Sequence, residues 1–155
     1  MALSLVAIGI AVACVAALVW ANHRRNESEL ERHSISAEQL HSLLTSDQKI
    51  SVFDVRQPLD LLAYPELIPG AQRIPPQEVL DKPSLIPRDR DVVVYCTCPS
   101  DKTSRTVLRR ALTLGYSRIQ LLRGGLAAWK AKGYSVELYQ ESFRLYSPTV
   151  SAPRG

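Results

Sequence analysis

Hydrophobic and polar positions divide the chain into a uniform apolar run, a charged stretch, a patterned body and a polar tail. Residues 2 to 21, ALSLVAIGIAVACVAALVWA, carry no charge over twenty positions. That is about the ~20 residues a helix needs to span a hydrocarbon core. Residues 22 to 34 are charged. From residue 35 the pattern becomes periodic. Leu40, Leu43 and Leu44 form one helical stripe, opened by a Ser36–Gln39 capping box with Ile35 and Leu40 placed as a hydrophobic staple. Ile50 to Val55, Ala71 to Ile74, Val92 to Tyr95 and Ile119 to Leu122 read as short strands. Between them, Pro58 opens a short helix, Gln77 to Leu80 suits one helical turn, and Val107, Leu108, Ala111 and Leu112 mark a longer helix stopped by Gly115. Leu126 to Lys132 forms a further helix after a Gly124-Gly125 turn, with Trp129 in the core and Gly133 as its cap. Strands alternating with helices at this pitch imply a parallel sheet covered on both faces. From Ser142 onward Ser, Pro and Arg dominate, and a disordered tail is expected.

The expected organisation is thus a membrane helix at 1–21, a charged linker at 22–34, one α/β domain at 35–138 and a tail at 139–155. Arg24 and Arg25 follow the apolar run and no Lys or Arg precedes it, so the positive-inside rule places the domain in the cytoplasm. A small single-span chain of this type suits a bacterial inner membrane. The rivals are a cleaved signal peptide, which lacks its basic n-region here, and a lipoprotein signal, faintly suggested by Ala11-Val12-Ala13-Cys14. The charged linker either continues the helix or acts as a tether.

Composition narrows the function. The 155 residues hold 19 Lys and Arg against 15 Asp and Glu, a net charge of +4 with no block of five like charges. Nucleic-acid binding is not indicated. Three cysteines form no disulfide framework, and Cys96 and Cys98 fall short of a zinc site. No metal or other cofactor is called for.

The chemistry concentrates at residues 91 to 105. A buried-strand run delivers Cys96 to a polar loop just before a helix. In open α/β sheets ligands meet the carboxyl ends of strands, and a thiolate near a helix N-terminus is stabilised by free N–H groups and the helix dipole. Cys96 is therefore either a nucleophile or a buried structural cysteine. The loop, Thr97, Cys98, Pro99, Ser100, Asp101, Lys102 and Thr103, followed by Ser104 and Arg105, can cradle an anion. Asp101 is an awkward negative charge there, read as the helix cap. Lys102 and Arg105 lie within the first turn or so. Cys98 either resolves a Cys96 persulfide as a disulfide or packs as a spectator. Asp54, a carboxylate within an apolar strand, needs a partner, and Arg56 or a loop N–H can provide it.

Taken together, Asp54-Val-Arg56, Ile68-Pro-Gly-Ala71, Val-Val-Val-Tyr-Cys96, Leu122-Arg-Gly-Gly125 and Ala128-Trp129-Lys-Ala-Lys-Gly133-Tyr resemble the ordered motifs of a rhodanese-like domain. The resemblance covers about residues 35 to 138. It implies a three-layer α/β/α fold with a five-stranded parallel sheet, and sulfurtransferase activity. In that chemistry a cysteine takes sulfur from a donor such as thiosulfate and passes it to a thiol or cyanide. The catalytic cysteine it implies is Cys96. Two departures bear on substrate. Ser104 lies eight residues after Cys96 instead of six, with Thr103 where an arginine is usual, and Glu66-Leu67 replaces the usual Gly-His. A related phosphatase would need a histidine at Tyr95 and an arginine at Lys102, and from Cys98 its arginine would fall on Ser104, so neither register fits. A non-catalytic binding or sensing module at the membrane is the remaining alternative.

Overall fold

The computed structural model describes residues 2–46, 48–97 and 101–139, without the side chains of 2–11 and 26. The chain forms two compact units, Met1–Ser34 and Ile35–Gly155.

The first unit is one helix, α1, Ala2–Arg32. The charged stretch thus continues the helix instead of forming a tether, and Arg24 lies over the Trp20 ring at 4.1 Å. Among the described residues no helix is long and apolar enough to cross a membrane. The expected span is therefore not supported. Of the apolar run, only residues 12–21 have described side chains, and beyond them α1 is charged.

In the second unit, β1 (Ser34–Ile35), β2 (Ile50–Asp54), β4 (Gln72–Arg73), β5 (Asp91–Tyr95) and β6 (Ile119–Leu122) build one sheet in the order β1-β6-β5-β2-β4. The β2–β4, β2–β5 and β5–β6 pairings are parallel. The fifth strand that the resemblance implied lies at Ser34–Ile35, where no strand pattern was read: Ile35, read as a staple, also pairs at the edge, where Arg123 N–H donates to its carbonyl at 3.0 Å. The Ser36 capping box is present, with bonds of 3.2 and 2.9 Å, and opens α2, Ala37–Leu44.

β5 is central, and Val92 to Tyr95 are all buried. Successive strand side chains alternate between faces. Val52, Val93 and Tyr95 share a core with Leu40 of α2 and with Leu126 and Trp129 of α6, Gly125–Ala131. The opposite face packs on α5, Lys102–Thr113, which also meets α4, Pro76–Asp81. Three layers result. The short helix α3, Pro58–Ala63, starts at Pro58 because its missing N–H would be unpaired there anyway.

A second, two-stranded sheet pairs β3 (Glu66–Leu67) antiparallel with β7 (Glu137–Leu138). Tyr139 N–H donates to the Pro65 carbonyl at 2.7 Å. Two-residue strands show no periodicity, so this ribbon left no pattern in the sequence. Of the expected tail at 139–155, Tyr139 is thus tied to the ribbon, and residues 140–155 lie outside the described residues.

Candidate active site

The end of β5 collects the site. Cys96 is buried, and its Sγ lies 3.2 Å from Ser104 Oγ. Tyr95 faces α2 and α6, so strand alternation turns Cys96 toward α5. Ser104 Oγ–H can donate to the sulfur or to the Asp101 carbonyl, 3.1 Å away. The hydroxyl is fully buried in the first turn of a twelve-residue helix. Ser104 thus reaches the cysteine even though the loop is two residues longer than the resemblance implies.

Asp101 corrects one expectation. It occupies the N-cap position of α5, but its side chain makes no capping bond. Its backbone is left-handed, φ 53°, and the carboxylate instead accepts from Gly124 N–H at 2.9 Å. Burial pushes this carboxyl above its usual value, opposed by the Gly124 bond and by the charge of Arg105.

The Gly124-Gly125 turn closes against the cysteine. Leu126 N–H donates to the Cys96 carbonyl at 3.2 Å. Gly125 has φ +50°, and a Cβ there would stand 1.8 Å from the same oxygen. Only glycine fits this approach.

Asp54 and Arg56 form a fully buried ion pair. Arg56 Nε donates to Asp54 Oδ1 at 2.9 Å, and its backbone N–H donates to the same oxygen at 3.0 Å, so both expected partners are used. The guanidinium also donates to the carbonyls of Tyr64 and Glu66, each at 2.8 Å. Ile68 N–H donates to Tyr95 Oη at 3.2 Å. Burial, then the charge of Asp54, raises the Tyr95 phenol well above its ordinary value. The pair therefore holds segment 64–68 beside β5.

That segment walls a cleft of about 360 Å³ lined by Tyr64, Glu66, Thr97, Leu126, Ala127 and Lys130. Lys130 Nζ pairs with Glu66 across the ribbon and α6. Neither Tyr64 nor Lys130 was foreseen as a site residue. Lys130 is the single charged residue of α6 and carries no signal of its own.

Of the expected loop, Thr97 lines the cleft, and Lys102 and Arg105 lie in the first turn of α5, Lys102 exposed and Arg105 half-buried. Thr103 lies between them, half-buried. Cys98, Pro99 and Ser100 lie outside the described residues. Among the described residues no group of three or more His, Cys, Asp or Glu could hold a metal.

A three-layer fold with a cysteine at the end of its central strand matches the family model of the rhodanese-like domain over residues 36–132. The chain belongs to that family. It is 32% identical over 104 residues to a sulfurtransferase from Allochromatium vinosum, spanning 67% of this chain and 94% of that protein. Two solved structures are also similar. A rhodanese-related protein from Thermoplasma volcanium has a TM-score of 0.58 and 28% identity, covering 68% of this chain and 98% of that one. The Alr3790 protein from Anabaena sp. has a TM-score of 0.57 and 30% identity, covering 66% and 81%.

Proposed function

We propose that the protein is a sulfurtransferase that carries sulfane sulfur as a persulfide on Cys96. The observation that carries this reading is Cys96 Sγ at the end of the central strand, 3.2 Å from Ser104 Oγ in the first turn of α5. The similarity to a sulfurtransferase supports it.

In the first step the Cys96 thiolate attacks the outer sulfur of a donor such as thiosulfate. A new S–S bond forms, the donor's S–S bond breaks, and sulfite leaves with the electron pair. Ser104 O–H donates to Sγ while it is anionic, and the dipole of α5 favours negative charge in the loop. In the second step an acceptor thiolate, or cyanide, attacks the outer persulfide sulfur and Cys96 departs as thiolate. Asp54 and Arg56 act as structural neighbours that hold the wall of the site. No cofactor enters either step.

The setting belongs to the same proposal. Residues 2–21 anchor the chain in a membrane and the domain works on the cytoplasmic side, a reading supported by the uncharged run and by Arg24 and Arg25 after it. Carbonate extraction of membranes tests this: release of the full chain into the soluble fraction rules out the anchor.

The chemistry is tested by incubating the full chain with thiosulfate or another sulfane donor and measuring intact mass. One added sulfur atom, absent in Cys96→Ser, is expected. No adduct with any donor would sink the enzyme reading in favour of a binding module. An adduct that survives Cys96→Ser but is lost in Cys98→Ser moves the nucleophile to Cys98.

A further inference from the structure

The cleft beside Cys96 has a chemical character that persulfide transfer by itself does not require. At about 360 Å³ it lies at the small end of the ~300–1,000 Å³ typical of small-molecule sites. Thiosulfate or cyanide would leave most of it empty. Tyr64, Leu126 and Ala127 supply apolar wall, and the remaining side chains include one cation, Lys130, and one anion, Glu66. These two pair with each other across elements 64 residues apart in sequence, and both keep contact with solvent, at 44% and 27% exposure. A pair that wet contributes little to stability. It can therefore exchange partners with a ligand bearing both charges.

The cleft also adjoins the main chain at the sulfur carrier, whose buried Sγ is not itself part of the lining. Thr97 follows Cys96 directly, and Leu126, another wall residue, donates its N–H to the Cys96 carbonyl. The buried Arg56 clamp on the Tyr64 and Glu66 carbonyls fixes the opposite wall. Glu66 stands where the family resemblance leads one to expect a glycine, so the negative pole of the cleft is a feature of this chain.

We propose that this cleft is the acceptor subsite, and that it selects a small zwitterionic aminothiol of the cysteine class. Lys130 takes the ligand's carboxylate and Glu66 its ammonium, while the apolar wall receives the methylene and directs the thiol to Cys96. The inference rests on the persulfide reading above. The transfer is balanced as R–S⁻ plus Cys96–S–SH giving R–S–SH plus Cys96–S⁻. One S–S bond forms and one breaks, the electron pair returns to Cys96 Sγ, and no external oxidant or reductant is needed.

The test is to load the full chain with sulfane sulfur and measure discharge of the persulfide by four thiols. Cysteine carries both charges, cysteamine only the ammonium, 3-mercaptopropionate only the carboxylate, and 2-mercaptoethanol neither. Each kcat/KM is expressed relative to 2-mercaptoethanol in the same preparation and then as a variant-to-wild-type ratio, which cancels intrinsic thiol reactivity and loss of folded protein. Lys130→Gln is expected to lower the ratio about tenfold for cysteine and 3-mercaptopropionate, and Glu66→Gln to do so for cysteine and cysteamine, as for loss of a charged hydrogen bond. Ratios unchanged in both variants, with the persulfide still forming on Cys96, overturn the subsite and leave the carrier standing. Failure of any donor to load Cys96 overturns both.

Discussion

Asp101 Oδ2 accepts a hydrogen bond from Gly124 N–H at 2.9 Å, joining the start of α5 to the turn that opens α6 across 23 residues of sequence. Its neighbours give the contact its weight. The Asp101 carbonyl accepts from Ser104 Oγ, which faces Cys96 Sγ, and the residue after Gly124 touches the Cys96 carbonyl. One residue, through its carboxylate and its carbonyl, therefore ties together the segments on either side of the cysteine.

Asp101→Gly removes this latch but also relieves the left-handed strain, so its stability should stay near wild type. Asp101→Ala removes the latch and keeps the strain that the wild type already carries, with an expected cost of about 1 kcal/mol from the lost hydrogen bond. Urea unfolding of the two variants distinguishes them, and equal costs would remove strain from the account.

The same residue sets a pH dependence. Its carboxyl is raised in the folded state, so the folded protein binds the proton more tightly than the unfolded chain does. Its contribution to stability is complete below the ordinary Asp value of 3.8 and is lost as pH rises through the raised folded value. Asp101→Asn, which keeps an acceptor for Gly124 and does not titrate, should gain stability relative to wild type across that window and hold the gain above it. Chemical denaturation from acid to neutral pH checks the sign, and a gain confined to acid pH would contradict it.

Gly125→Ala should cost more than about 3 kcal/mol or prevent folding, because its Cβ would stand 1.8 Å from the Cys96 carbonyl oxygen, a backbone atom that cannot turn aside. Gly70→Ala is the control. It has φ +72° with nothing within 4 Å, so only conformational strain of ~1 kcal/mol applies. Thermal unfolding should separate the two clearly.

Arg56→Met should lower stability by about 3–5 kcal/mol, since it strands the buried Asp54 carboxylate and frees the Tyr64 and Glu66 carbonyls. Asp54→Asn together with Arg56→Met should recover part of that loss. A double-mutant cycle measures the coupling, and strict additivity would deny it.

Ser104→Ala should leave the fold intact and slow persulfide formation on Cys96 about fivefold, the equivalent of one hydrogen bond of ~1 kcal/mol. Single-turnover loading with thiosulfate, followed by mass, gives the rate. An unchanged rate would show that Ser104 orders the loop without assisting the sulfur.

Much of the molecule could be read along the chain because its signals are local. The buried run at Val92 to Tyr95 required a central strand. Ser36 and Gln39 specified a helix start, and Asp54, a charge in an apolar strand, demanded a partner that Arg56 provides. The cysteine's place at a strand end before a helix followed from the same local pattern. What only the tertiary structure decided are contacts between segments far apart. Asp101, two residues before Thr103, could cap its own helix as easily as reach Gly124, and nothing local separates the two outcomes. Ile35 served the helix it precedes and the sheet edge alike. Tyr64, Glu66 and Lys130 are individually ordinary surface residues, and they become a cleft only when the Arg56 clamp brings segment 64–68 against α6 beside Cys96. Periodicity and capping act over a turn or two, while a site assembled across a sheet depends on packing geometry that no local pattern encodes.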